Sequence, residues 1–235
     1  MSEAPLALSF FDQAQEIHGT ARSGATILFE AGRPSAFSEG PAFEPDGEGW
    51  RARLAERLSL AIEPLTEAVD LGGTSARVCR VQGDAAGRRV DCLGTLAETL
   101  EPPRWDELDA VRSISALVDD AHALLLVARR PRGAVGHGEE QVEARLLVEG
   151  EMRRVDDVRL STVYDGGGRQ RSAGLELWMP GEEFPRRGSG LVIAGSSLEL
   201  EQVHVHVAVF RWRLEGREGI GAYELMVRAE PPAAA

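Results

Sequence analysis

The feature that most constrains this chain is the stretch from Gln202 to Arg228, QVHVHVAVFRWRLEGREGIGAYELMVR. It reads as a long strand, a glycine-bounded turn over Glu215–Gly219 and a returning strand. Side chains along a strand alternate between faces, so Val203, Val205, Val207 and Val209 share one side. His204, His206, Phe210 and Trp212 share the other. A strand with two unlike faces that both avoid water suits a curled sheet. One face then meets a core and the other a cavity, and the even-numbered face is expected to meet the cavity.

The same punctuation recurs along the chain. ARVCRVQ from Ala76, the turn GDAAGR and then RVDCLG form one hairpin; a loop centred on Ala85–Ala86 sets Cys79 opposite Cys92. VRSISALV, DDA and HALLLVARRP form a second. Val142–Val148 turns at Glu149–Gly150 into a strand from Met152, and Val158–Tyr164 turns at Asp165–Gly168 into Gln170–Met179. Strands and turns at this spacing point to an all-β antiparallel sandwich or barrel built from hairpins. No sequence repeat of short period is present, which argues against a propeller or solenoid.

The N-terminal third is less regular. Phe10–Glu30 reads as two short extended pieces around Gly19–Gly24, and the segment GRPSAFSEGPAFEPDGEGW is dense in turn formers. Trp50–Leu65 admits two readings. Leu54, Leu58, Ile62 and Leu65 have helical spacing, whereas Trp50, Ala52, Leu54, Leu58, Leu60 and Ile62 alternate as a strand broken at Glu56.

Charge and composition exclude several functions. The formal net charge is -12, from 26 basic and 38 acidic residues, the opposite of a nucleic-acid or anionic-membrane footprint. Every basic residue is Arg, so Schiff-base and phosphate-loop lysine chemistry is excluded. Asn is also absent, which removes glycosylation acceptors. The N-terminus lacks the basic segment of a signal peptide, and no apolar run is long enough to span a bilayer. A cytoplasmic protein without a membrane span is expected, with a frayed EPPAAA tail.

Candidate chemistry is sparse. His204 and His206 leave one strand face as metal ligands would, but no third ligand is specified, so no metal and no cofactor are expected. Glu176 in GLELW and Glu224 in AYELMV interrupt apolar strands. Pointing into a cavity, either would be a desolvated proton donor; pointing out, it is an ordinary solvated residue. Cys79 and Cys92 are either a cross-strand disulfide or two small buried thiols. No serine follows a nucleophile-elbow pattern, and Gly72–Gly73 and the DGGG run read as turns.

Taken in order, the FFD…IHGTAR…ILFE segment, RVDCLG leading into PRWDELDAVRSISALVDD, the loop GHGEE and the closing GIGAYELMVRA make the chain resemble a known family. It is similar to the carotenoid hydratase-like branch of the lipocalin superfamily, with its hydroxyneurosporene synthase-type hydratases and its polyketide cyclases. The resemblance implies two consecutive lipocalin-like β halves, here 1–100 and 101–235, and favours the strand reading of Trp50–Leu65. It implies an extended apolar ligand of isoprenoid, steroid or polyketide type, and cofactor-free hydration, isomerisation or cyclisation. On that reading Glu176, Glu224, His204 and His206 are the candidate catalytic residues. Trp178, Phe210, Trp212, His137 and Trp105 are the candidate ligand contacts. Where many members carry a His-Ser-Trp-Gly-x-Arg-Asp type segment, this chain has LGTLAETLEPPRWDELD, and only Arg104, Trp105 and Asp106 are similar. The competing expectation is a non-catalytic carrier of a hydrophobic ligand, or a structural partner of an enzyme.

Overall fold

A computed structural model describes residues 4–135, 137–200 and 203–229. Gln202, the terminal EPPAAA segment and the side chain of His137 lie outside the described residues. The N-terminal sheet begins with a meander of β1 (Leu6–Asp12), β2 (Ile17–Arg22), β3 (Ala25–Glu30) and β4 (Arg33–Phe37). It continues through β5 (Ala42–Asp46), β6 (Gly49–Leu54), β7 (Leu58–Pro64), the short β8 (Val69–Asp70), β9 (Thr74–Ala85) and β10 (Arg88–Thr99). The C-terminal sheet opens with β11 (Leu108–Asp119), β12 (His122–Pro131), β13 (Gln141–Val148) and β14 (Glu151–Arg154). It closes with β15 (Asp157–Tyr164), β16 (Gln170–Trp178), β17 (Arg186–Leu200), β18 (Val203–Leu214) and β19 (Arg217–Arg228).

The two sheets repeat one plan. Strand order is β4-β3-β2-β1-β10-β9-β7-β6-β5 in the first and β14-β13-β12-β11-β19-β18-β17-β16-β15 in the second. In each, the first strand pairs antiparallel with the last, so β1–β10 and β11–β19 are structural equivalents. Each sheet curls around an apolar interior of its own. Leu8, Phe10, Leu60 and Val81 belong to the first, and Leu124, Leu175, Phe210 and Trp212 to the second. A third cluster joins residues of both sheets, among them Phe11, Phe29 and Val78 with Val111, Leu125 and Val205. Burying such side chains contributes about 1.5–3 kcal/mol each.

Local chemistry explains the hairpins. The two-residue turns Ala31–Gly32, Ala86–Gly87, Glu149–Gly150 and Glu215–Gly216 all have positive φ at both positions. That is the hairpin geometry whose twist matches the strands, and it places Gly second. Centring the β9–β10 turn on Ala86–Gly87, one residue later than expected, changes each partner by two. Cys79 therefore pairs with Gly94 and Cys92 with Val81, and both cysteines are free, buried thiols.

The N-terminal third departs most from expectation. Phe10–Glu30 holds parts of three strands instead of two pieces, and Gly19 sits inside β2 rather than in a turn. Phe10 explains this: a Cβ on Gly19 would stand 2.5 Å from the Phe10 ring. The turn-rich segment contains two mostly exposed strands, β4 and β5. Trp50–Leu65 is neither a helix nor one strand but the hairpin β6–β7, with Arg57 N donating to Leu54 O across the break at Glu56.

Candidate functional site

Where the central strands of the two sheets face each other they leave a cavity of about 260 Å³. Equivalent strands supply its walls: β1, β2, β9 and β10 on one side, β11, β12, β18 and β19 on the other. The linker before β11 adds Pro103 and Trp105 at the margin. Its position follows from the fold. Each sheet curls its other face inward, so the faces left to meet are the odd-numbered residues of β1, β10 and β11 and the even-numbered residues of β2, β9 and β19.

Across this space Arg22 of β2 meets Glu224 of β19, its Nη2 donating to Glu224 Oε2 in an ion pair that links the two sheets. The side chains are 21% and 11% exposed, so the pair is shielded but reachable from the cavity. Arg22 Nη1 also lies 4.0 Å from Met226 Sδ. Ser115 Oγ accepts a hydrogen bond from the Ala222 amide at 3.0 Å. Arg129 donates to Leu71 O at 3.0 Å and to Thr74 Oγ1 at 3.4 Å, tying the 71–74 turn to the second sheet. Burial holds the Arg129 guanidinium below its ordinary value, against the opposing pull of Asp70, Glu101 and Glu143.

The expected site residues divide. Glu224 and Trp105 line the cavity. Glu176 does not: it lies on the outer face of β16 between Arg159 (3.9 Å) and Arg187 (3.7 Å). Trp178 shares that outer face, with the Arg159 guanidinium 4.7 Å from its ring centroid. Phe210 and Trp212 are fully buried inside the C-terminal sheet, stacked at 5.2 Å between centroids. His204 is half-exposed beside Glu199, and His206 contacts Ser197 Oγ through Nδ1 at 2.7 Å. Burial lowers the His206 pKa, with Arg169 and His204 adding to the effect. His137 falls in a single 3-10 turn, His137–Glu139.

The face assignment of β18 is thus reversed. Val203 lines the cavity, and Val203, Val205, Val207 and Val209 all join the cluster between the sheets. The even-numbered side chains turn toward the interior of the C-terminal sheet or its rim. The physical reason is size: Phe210, Trp212 and Tyr223 need the deepest apolar volume, which the curled interior supplies. Among the described residues, no three of His, Cys, Asp and Glu come together as a metal site requires.

Arg22 and the hydroxyls around it escaped the reading of IHGTAR. The available signal was polar alternation: His18, Thr20 and Arg22 on one face of a strand whose other face is Ile17, Gly19 and Ala21. His18 is another buried polar group of this face, 6% exposed, and among the described residues its Nδ1 has no hydrogen-bond partner.

The fold and cavity define a two-part lipocalin-like β protein, two curled antiparallel sheets in sequence with a space between them. Solved structures that share this architecture include three with TM-scores above 0.5. CghA aligns with a TM-score of 0.65 at 11% identity, over 97% of this chain and 89% of its own. Kievitone hydratase from Nectria haematococca aligns at 0.63 and 8% identity over the same shares, 97% and 89%. An AttH-type protein from Nitrosomonas europaea aligns at 0.59 and 13% identity, over 95% of this chain and 91% of its own. No family model matches the sequence, and no curated protein does. The likeness to these structures is therefore one of fold, two curled antiparallel sheets in sequence, carried by both halves of the chain. Among the described residues no helix is long and apolar enough to cross a membrane.

Proposed function

We propose that the protein binds a small, largely apolar molecule between its sheets and acts on it by cofactor-free acid–base chemistry. Hydration, isomerisation or cyclisation would each use Glu224 as the group that moves the proton. The observation that carries this reading is the Glu224 carboxylate itself, on a buried residue of the cavity wall and held by Arg22 of the other sheet. A carboxylate so placed can take a proton from water or a carbon acid and return it at a neighbouring atom. Arg22 supplies positive charge beside any oxyanion that develops, in a site where water screens it little. One neighbour of the same fold is a hydratase, which makes proton transfer the first chemistry to test.

The test is native mass spectrometry of freshly purified protein, with extraction of any retained small molecule. Wild-type protein should carry an apolar ligand that Ala222→Trp, which fills the cavity, does not. Failure to recover any ligand from several expression hosts would remove the reading. Once a substrate is identified, Glu224→Gln should bind it and not turn it over. A simple carrier would be indifferent to that change.

A further inference from the structure

The cavity has two unlike walls, and the strand register arranges the polar one in rungs. Ser9 pairs with both Thr20 and Thr95, which makes a first row of three hydroxyls across β2, β1 and β10. Two residues along, Arg22, Ala7, Ala97 and Ala76 form a second row. Two further on, Thr99 pairs with Thr74 as a third. All of these residues line the cavity. The wall opposite carries the branched aliphatic side chains Val111, Leu125, Val127 and Val203, with Glu224, Ser113, Ser115 and Arg129 as its polar members; Ser115 Oγ already accepts from the Ala222 amide and Arg129 is turned to Leu71 O and Thr74 Oγ1.

A strand rises about 3.3 Å per residue, so the two hydroxyl rows, four residues apart, are separated by roughly 13 Å. Spread over that length, 260 Å³ leaves a cross-section of about 20 Å². That admits one flat ring system or one chain. Serine and threonine hydroxyls both donate and accept, so each row can meet a carbonyl, phenol, enol or alcohol. The contacts they make within the protein are weak: Ser9 Oγ to Thr20 Oγ1 is 3.4 Å, as is Arg129 Nη2 to Thr74 Oγ1. A bare hydrocarbon laid on this wall would desolvate the hydroxyls and return no hydrogen bond.

Resting on the cavity as the binding site, we infer that the ligand is slender and oxygenated on one face. Oxygen functions near its two ends meet the hydroxyl rows of the N-terminal sheet, and its hydrocarbon face lies on the valines of the C-terminal sheet. The stretch between the oxygens then lies over Arg22 and Glu224. This selects an oxygenated aromatic or polyketide-type molecule over a plain isoprenoid hydrocarbon.

The experiment compares trans-stilbene with its para,para′-dihydroxy derivative, a rigid pair that differs only in oxygens at opposite ends. Binding is followed by probe fluorescence or calorimetry on the full-length wild-type protein, on Ala222→Trp and on the double variant Thr95→Val, Thr99→Val. The dihydroxy probe should bind wild type at least about tenfold more tightly than stilbene, the yield of one to two net hydrogen bonds. The double variant should lose most of that preference while binding stilbene as well as wild type does. Equal affinity for the two probes, or an equal loss for both in the double variant, overturns the inference and leaves the cavity reading standing. Binding that survives Ala222→Trp, or no binding of either probe to wild type, removes the cavity reading and this inference with it. The wild-type comparison needs no variant to fold.

Discussion

Replacing Glu224 by Gln keeps the shape of the side chain and removes its charge, leaving Arg22 without its counter-ion between the sheets. Breaking a fully buried pair from one side costs about 3–5 kcal/mol, and losing an exposed pair about 0–1 kcal/mol. Arg22 retains 21% of its side-chain exposure and Glu224 11%, so water from the cavity solvates the orphaned guanidinium in part. The expected loss is about 2–3 kcal/mol. With a urea m-value on the order of 2–3 kcal/mol/M, the unfolding midpoint should fall by about 1 M with m unchanged. Arg22→Met should do comparable damage by orphaning the carboxylate. The double variant Arg22→Met, Glu224→Met should be less damaged than the sum of the two single Met variants, with a coupling energy of about 2 kcal/mol. A midpoint shift under about 0.2 M, or a coupling energy near zero, would show that the pair does not tie the sheets together.

Three further outcomes are expected. Burial lowers the His18 pKa, against the opposing pull of Asp12 and Glu16. Its contribution to stability is therefore complete above the unfolded value of about 6.5 and declines as pH falls below it. Thermal melts between neutral and mildly acidic pH should show a shallower acid loss for His18→Leu, and identical slopes would refute the assignment. Gly221→Ala would place a Cβ 1.9 Å from the Ser115 carbonyl oxygen on the neighbouring strand. It should destabilise by about 3 kcal/mol or prevent folding, read by denaturant midpoint or soluble yield. Cys79 and Cys92 are pushed up to about 12, burial being the main cause. Native protein should resist iodoacetamide, and both thiols should react once the chain is unfolded; rapid native alkylation would contradict their placement.

Much of the strand pattern was legible because hairpin chemistry is local. Glu149–Gly150 and Asp165–Gly168 mark turns through residues that accept positive φ or cap their own backbone, and the flanking alternation is strong. The same logic failed at β4 and β5, whose residues are mostly exposed and carry no apolar alternation. It also failed at Gly19, a strand glycine required by a ring from the neighbouring strand. The break at Glu56 was visible, but its meaning as a turn depended on β7 pairing with β9.

The candidate site was legible only in part. Glu224 stood out as a charge within an apolar strand, but its partner Arg22 lies 202 residues away. No local pattern couples positions so distant. Glu176 presented the same sequence signal and turned outward, because the face a strand shows to the interior is set by what the rest of the sheet encloses.

The sequence by itself determined an all-β chain of hairpins, rich in arginine, acidic overall and without lysine chemistry. These properties follow from alternation, turn residues and composition, all of which act within a few residues. Only the tertiary structure decided that the valine face of β18, and not its histidine and aromatic face, meets the space between the sheets. Both faces avoid water, so alternation cannot rank them. The ranking came from volume: the curled interior of the C-terminal sheet takes Phe210, Trp212 and Tyr223, and the valines are left to face the other half.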